Sequence, residues 1–340
     1  MSCAASSTSR SSAASSFRPV TAPTIPRSLL RILRWAFVVA LIGAAAWALR
    51  TQLPAVREVL ARTDLRWGLV ALAGVVVLGT YGLLIEGWRR VLAELGSSLG
   101  AADAARVWFV SNLARYMPGA LWQLGAMTEL TRRRGVPVTV STSSAVVITI
   151  VNVFTGLAVA TAFAATTPEV LDGTRGRMIV VAGALALLAM PVVAPRLVGV
   201  ARRVTGRELV IPRVGMRPVV VAAVSTALAW LAYGVAFWIL TAAVLPGQWR
   251  DLPGCIALYT LSYLFGLFNP APAGIGAAEG AMVLLAPQLG VATSAEAAVL
   301  AVAVRLWRTV LEIAPGLVAL ALGGARLESD DQPSRGSRIP

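Results

Sequence analysis

Residues 67–85 read WGLVALAGVVVLGTYGLLI, an uncharged apolar run with no polar/apolar alternation. Coiled as an α-helix it rises about 28 Å, close to the ~30 Å hydrocarbon core of a bilayer, and it satisfies its backbone hydrogen bonds without a neighbouring strand. A transmembrane helix is the expected structure, and the pattern recurs along the chain. Leu29–Leu49, Ala145–Ala165, Met178–Ala194, Val219–Leu245 and Leu252–Phe268 are runs of the same kind. Ala297–Ala325 adds either one long tilted helix or two packed pieces, because Arg305, Arg308 and Glu312 interrupt its apolar character. The expected fold is all-α: a polytopic helical membrane protein with about 7–8 transmembrane helices plus two interrupted or re-entrant helical stretches.

Composition agrees. Of 340 residues 57% are apolar and 14% charged, against about 25% charged in soluble domains. His is absent and all 30 basic residues are Arg. These absences exclude His-bearing metal sites, Ser-His-Asp and Cys-His nucleophile systems, lysine Schiff bases and the Gly-Lys-Ser/Thr nucleotide loop. Cys3 and Cys255 stand far apart, one in a polar tail and one in an apolar run, so neither a metal cluster nor a disulfide framework is expected. No cofactor is called for.

Residues 1–26, rich in Ser, Ala, Thr and Pro, read as a disordered N-terminal tail, 27–325 as a single transmembrane domain, and 326–340 as a disordered C-terminal tail. The first apolar core begins near Leu29 and has spanning length, so it reads as an uncleaved helix. Arg27, Arg31 and Arg34 precede it, Arg89 and Arg90 follow the second run, Arg132–Arg134 precede the third, and Arg196, Arg202, Arg203 and Arg207 follow the fourth. Basic residues collect on the cytoplasmic side of membrane proteins, so a cytoplasmic N-terminus follows. Thr166–Arg177 and Pro246–Asp251 should face outward, while Arg50–Arg66, with four Arg, runs against the rule. The net charge of +14 is spread over helix flanks rather than gathered into a module, which argues for anionic lipid headgroups and against nucleic acid.

Chemistry is expected where the helical pattern breaks, because broken backbone at membrane depth persists only where protein or a cavity satisfies it. Trp108–Leu130, WFVSNLARYMPGALWQLGAMTEL, is broken at Pro118-Gly119 and carries Asn112, Arg115, Gln123 and Glu129. Phe268–Leu289, FNPAPAGIGAAEGAMVLLAPQL, is broken by Pro270, Pro272, Gly274 and Gly276 ahead of Glu279. Each has an aromatic approach, an Asn, a Pro/Gly break and a short helix bearing one carboxylate, a loose likeness that hints at an internal duplication. A helix starting after each break would turn free N–H groups and its positive dipole end toward a phosphate. The plainer alternative makes each stretch an interfacial helix turned by its Pro/Gly. Arg308 and Glu312, four apart, share a helical face and can pair; Arg305 lies a turn earlier, leaving one Arg for a phosphate or making the group a lock between helices.

RYMPGALWQLGAMTELTRRRG at 115–135 and NPAPAGIGAAEGAMVLL at 269–285 resemble the two motif regions of the lysylphosphatidylglycerol synthase transmembrane region family, flippase-like integral membrane proteins. The resemblance rests on Arg115, Tyr116, Pro118, Gly119, Trp122, Gly125 and Arg134, then on Pro272, Gly274, Gly276, Glu279 and Gly280, and extends over most of 29–323. It implies an inner-membrane protein similar to the flippase half of enzymes that make aminoacylated phosphatidylglycerol and move it outward; other relatives are tied to polyprenyl-linked sugars. Two departures stand out: Ala145–Thr155 holds only Asn152 where the family often has an acidic-basic pair, and AGIGAAEG lacks an extra basic residue before its Glu. No polar region is large enough for a synthase domain, so the chain reads as a carrier rather than an enzyme.

The expected function is translocation of a phospholipid or polyprenyl-linked lipid across the cytoplasmic membrane. A membrane scaffold for a cell-envelope enzyme partner and a lipid-dependent glycosyl or phosphoryl transferase are the alternatives. The candidate headgroup-binding residues are Arg115, Pro118, Gly119, Trp122, Gln123, Glu129, Arg134, Pro272, Gly274, Gly276, Glu279, Arg305, Arg308 and Glu312.

Overall fold

The computed structural model describes residues 65–116, 122–205, 216–245, 247, 249–269 and 274–330. Contacts divide the chain into Met1–Ala40 and Leu41–Pro340, and every described residue belongs to the second part. The expected span Leu29–Leu49, the N-terminal tail, and residues 331–340 of the C-terminal tail lie outside the described residues.

All described regular structure is helical. Three helices are long and apolar enough to cross a membrane: α1, Trp67–Glu94; α4, Val138–Ala164; and α7, Met216–Val244, by its part Val219–Val244. α1 runs on past the expected end at Ile85, and the charge this admits is matched locally, since Arg89 and Arg90 both bind Glu86. α4 begins seven residues before the expected Ala145, taking in VTVSTSS. Those hydroxyls are spent inside the protein: Ser144 donates to the Ser141 carbonyl at 2.8 Å and accepts the Trp88 indole N–H at 3.1 Å. A polar run thus forms helix because its buried hydroxyls, from Ser141 to Ser144, have partners.

The remaining helices are α2, Ala101–Leu113; α3, Trp122–Arg132; α5, Pro168–Asp172; α6, Thr174–Thr205; α8, Leu252–Phe268; α9, Ala277–Leu285; and α10, Ser294–Asp330. A 3-10 turn, Ala114–Tyr116, extends α2. The Met178–Ala194 run lies inside α6, and the C-terminal apolar segment is one continuous helix with Pro315 within it, which settles the choice between one piece and two. It reaches Asp330, past the boundary expected at residue 325.

Two helical hairpins enter from opposite ends. In the first, α2 and α3 start and finish at the Arg-rich end, where Arg134 after α3 binds Asp103 in the first turn of α2 at 3.0 Å. In the second, α8 starts at the other end, capped by Asp251, whose side chain accepts the Gly254 N–H at 2.7 Å. α9 comes back to the same level: a Cβ built on Gly254 would meet the Leu289 carbonyl at 2.8 Å. Its limbs close on small residues, a Cβ on Gly266 falling 2.9 Å from that of Ala278. The turn between them uses Gly274 at φ +68° and Gly276 at φ +87°, conformations that disfavour a side chain. α10 then starts beside α8, with Arg250 bound to Glu296 at 2.8 Å, and runs back through the molecule against α2 and α9.

Candidate functional site

The inner ends of both hairpins meet at α10. Arg115, in the turn that ends the first limb of the first hairpin, donates Nη1–H to Glu312 Oε1 at 3.1 Å and Nη2–H to the Tyr263 hydroxyl at 3.1 Å. Tyr116 donates its hydroxyl to Glu312 Oε2 at 2.9 Å. Arg308, one turn before Glu312 on α10, donates Nη2–H to Glu312 Oε1 at 3.1 Å, and its guanidinium lies over the Tyr263 ring at 4.6 Å. Glu312 is 5% exposed.

Depth makes this costly. At 1.5 Å per residue Arg308 lies ~21 Å along α10 from Ser294, and Tyr263 ~17 Å along α8 from Leu252, well away from either helix start on the scale of a ~30 Å hydrocarbon core. Two guanidinium groups share one carboxylate, so the cluster carries one positive charge more than its own residues neutralise. An ion at such depth is retained when it faces a cavity or a partner.

A cavity is present. It encloses about 340 Å³ and is lined by Arg115, Arg308 and Glu312 together with Tyr81, Trp230, Tyr233, Tyr259 and Tyr263, and by Asn112, Gln123 and Asn152. Phe268, which also lines it, is 66% exposed, so the cavity borders the protein surface at the end of α8. Thr149 and Ile150 line it from ~17 Å along α4. The aromatic wall is built by tight contact: a Cβ on Gly156 would sit 2.8 Å from the Trp230 ring, and Trp230 meets Tyr263 edge-on at 5.1 Å.

A smaller cleft of about 20 Å³ adjoins it, sharing Tyr259, Tyr263 and Arg308 and adding Glu279, Arg305 and Ser262. Arg305 Nη1 lies 3.5 Å from Glu279 Oε1, and Glu279 Oε2 accepts the Gly276 N–H at 2.8 Å. The start of α9 therefore holds the chain's own carboxylate, and Arg305 has a partner in it, where the sequence suggested N–H groups and an Arg open to a phosphate.

Of the residues singled out from sequence, Arg115, Gln123, Arg308 and Glu312 line the large cavity, and Glu279 and Arg305 the adjoining cleft. Gly274 and Gly276 shape the hairpin turn. Glu129 and Arg134 stand elsewhere. Glu129, 42% exposed at the Arg-rich rim, is held by Arg132 at 2.8 Å and Arg133 at 2.9 Å, and those hydrogen bonds, Arg132 foremost, bring its carboxyl down to about 2. Arg134 serves the base of the first hairpin. Trp122 is half exposed at the start of α3. Pro118, Gly119 and Pro272 lie outside the described residues. Sequence reasoning left out Tyr263 and the other ring residues; their signal was Tyr259 and Tyr263 four apart in an otherwise apolar helix, one helical face. Among the described residues no three His, Cys, Asp or Glu side chains gather to hold a metal.

Compared with models of known families, residues 31–316 match the one described as Lysylphosphatidylglycerol synthase TM region. The chain belongs to this family. It is accordingly a multi-pass protein of the inner membrane with the flippase-like, lipid-translocating character of the lysylphosphatidylglycerol synthase TM region, and the match spans both hairpins and the cluster between them. Comparison with individually curated proteins gave no match.

Proposed function

We propose that this family member carries an anionic phospholipid or polyprenyl-linked lipid between leaflets by taking its phosphate onto Arg115 and Arg308 while the tails stay in the bilayer. The observation that carries this reading is the positive charge that the Arg115/Arg308/Glu312 cluster leaves uncompensated among the described residues, in a cavity beside the exposed Phe268. A phosphate supplies the missing negative charge, and each charge-assisted hydrogen bond to it is stronger than a neutral one. The opening beside Phe268 lets a headgroup enter without drawing its tails out of lipid.

Around the site we read seven to eight crossings and a cytoplasmic N-terminus, supported by Arg89, Arg90 and Arg132–Arg134 at one end of the described helices. Carriage rather than chemistry is favoured because the carboxylate nearest the guanidinium groups, Glu312, is occupied as an acceptor on both oxygens and so is poorly placed as a base.

The test uses vesicles containing the purified protein and a tail-labelled acidic phospholipid whose outer-leaflet pool is quenched chemically. The protein should make the inner pool accessible, Arg308→Gln should slow this at least tenfold at equal protein level, and recovered lipid should be unchanged in mass. Equal rates with and without protein, or a lipid altered in mass, would overturn the reading.

A further inference from the structure

The geometry points to a cargo headgroup whose phosphate is accompanied by uncharged hydroxyls, and to rejection of headgroups that carry an ammonium. This deepens the translocase reading and rests on it for the location of the site.

An ammonium has no counter-charge in the cavity. Among the described lining residues the one carboxylate is Glu312, and its oxygens already accept from Arg115 and Arg308 on one side and Tyr116 on the other. Two of the ring faces that could hold a quaternary nitrogen are already taken. Tyr263 is covered by the Arg308 guanidinium at 4.6 Å, and Tyr233 stacks on Tyr259 at 5.8 Å. A cation entering beside Tyr263 would meet net positive charge.

Neutral groups supply the rest of the lining. Gln123 donates to Asn112 Oδ1 at 2.6 Å across the two limbs of the first hairpin, which leaves the Gln123 carbonyl and the Asn112 amino group for a ligand. Asn112 lies one helical turn before Arg115, so these groups adjoin the phosphate end. Asn152 sits ~21 Å along the apolar helix α4, lines the cavity, and its carboxamide has no hydrogen-bond partner among the described residues. Trp230 ties it to the charged cluster, donating its indole N–H to the Asn152 carbonyl at 2.9 Å while its ring meets Tyr263. A carboxamide offers a donor and an acceptor side by side, matching a hydroxyl, which is both. The cavity's 340 Å³ is at the small end of ligand pockets, roughly 300–1,000 Å³, room for a headgroup and not for its tails. Phosphatidylglycerol and a polyprenyl-phosphate hexose both present this chemistry.

Native mass spectrometry of the full chain in detergent, with equal amounts of phosphatidylglycerol, lysyl-phosphatidylglycerol and a polyprenyl-phosphate hexose, tests it. One of the two hydroxyl-bearing lipids, and the arm that wins identifies the source, should be retained at least tenfold over the aminoacylated one. Asn152→Asp, which adds a carboxylate, should move retention at least tenfold toward the aminoacylated lipid. Gln123→Leu, compared at equal recovery of folded protein because it also removes the bond to Asn112, should lower retention of the hydroxyl-bearing lipid severalfold. Equal or greater retention of the aminoacylated lipid by the unaltered protein, or both variants leaving the ratio unchanged, overturns the inference. Selective retention without movement in vesicles would keep it and sink the translocase reading; movement of every lipid with no selective retention would do the reverse.

Discussion

Glu312 joins three donors from two distant parts of the chain, and its loss should be the most damaging single change at the site. Glu312→Leu strands two buried guanidinium groups, and breaking a buried pair in this way costs about 3–5 kcal/mol. Thermal unfolding in detergent should show a large loss for Glu312→Leu and a small one for Tyr263→Phe, which removes one hydrogen bond to Arg115. Similar midpoints for the two would mean the carboxylate is not the hub. Glu129 behaves differently because it stands at the rim. With its carboxyl lowered to about 2 by the bonds from Arg132 and Arg133, its contribution to stability is fully present above the ordinary carboxylate range. It is lost as pH falls toward 2. At neutral pH Glu129→Gln should cost no more than about 1 kcal/mol, as exposed pairs do, while the decline of stability between pH 5 and 2 becomes shallower, measured as the unfolding midpoint against pH. The Arg308–Glu312 pair was legible in sequence because four residues bring two side chains to one helical face. Its third member was not. No spacing rule reaches from Arg115 to a partner 197 positions away, and only the fold supplies it.

At the level of elements, the hairpins depend on close backbone approach where a side chain would intrude. Gly266→Val would drive a branched side chain into Ala278 of the returning limb, where a single Cβ already comes within 2.9 Å. Overpacking of this order costs about 1–3 kcal/mol. Because the hairpin carries Tyr259 and Tyr263 to the cluster, lipid movement should fall with the midpoint. Gly156→Ala presses on Trp230 instead, from α4. It should lower stability by a similar amount and displace the Trp230 ring from Tyr263, slowing lipid movement even where folded protein is recovered in full; unchanged movement would detach that ring from the site. The Pro/Gly breaks showed from sequence where the helices are interrupted, since those residues remove donors and relax the backbone. The direction in which each limb returns was not legible. It is set by contacts such as Arg134 with Asp103 and Gly254 with the Leu289 carbonyl, which join residues far apart in the chain. The start of α4 was missed for a related reason: a Ser/Thr-rich run looks like a loop until its hydroxyls find partners in α1 and in the helix itself.

Across the whole molecule, opposed hairpins impose a geometric requirement that neither alone creates. If the base of the first lies at the Arg-rich end and the base of the second at the other, their inner ends approach the same depth from opposite leaflets, and α10 passes between with Arg305, Arg308 and Glu312 facing both. A headgroup held there would stand between the two hairpins, the arrangement in which rocking one element against the other changes the leaflet a site faces. The arrangement fixes a labelling pattern. Ser98, exposed between α1 and α2, belongs to the Arg-rich end, and Ser294, exposed at the start of α10, to the other. With Cys3 changed to Ser and the buried Cys255 retained, Ser98→Cys should react with a membrane-impermeant maleimide in inside-out vesicles but not in intact cells, and Ser294→Cys in intact cells. Both sites labelling from one side would place the hairpin bases in the same leaflet and remove the opposed entry on which a shared midplane site depends. Labelling from opposite sides with the pattern reversed would keep the opposed hairpins and invert the membrane orientation inferred from the arginines, because the hairpin geometry comes from contacts within the protein and the orientation from charge at its ends.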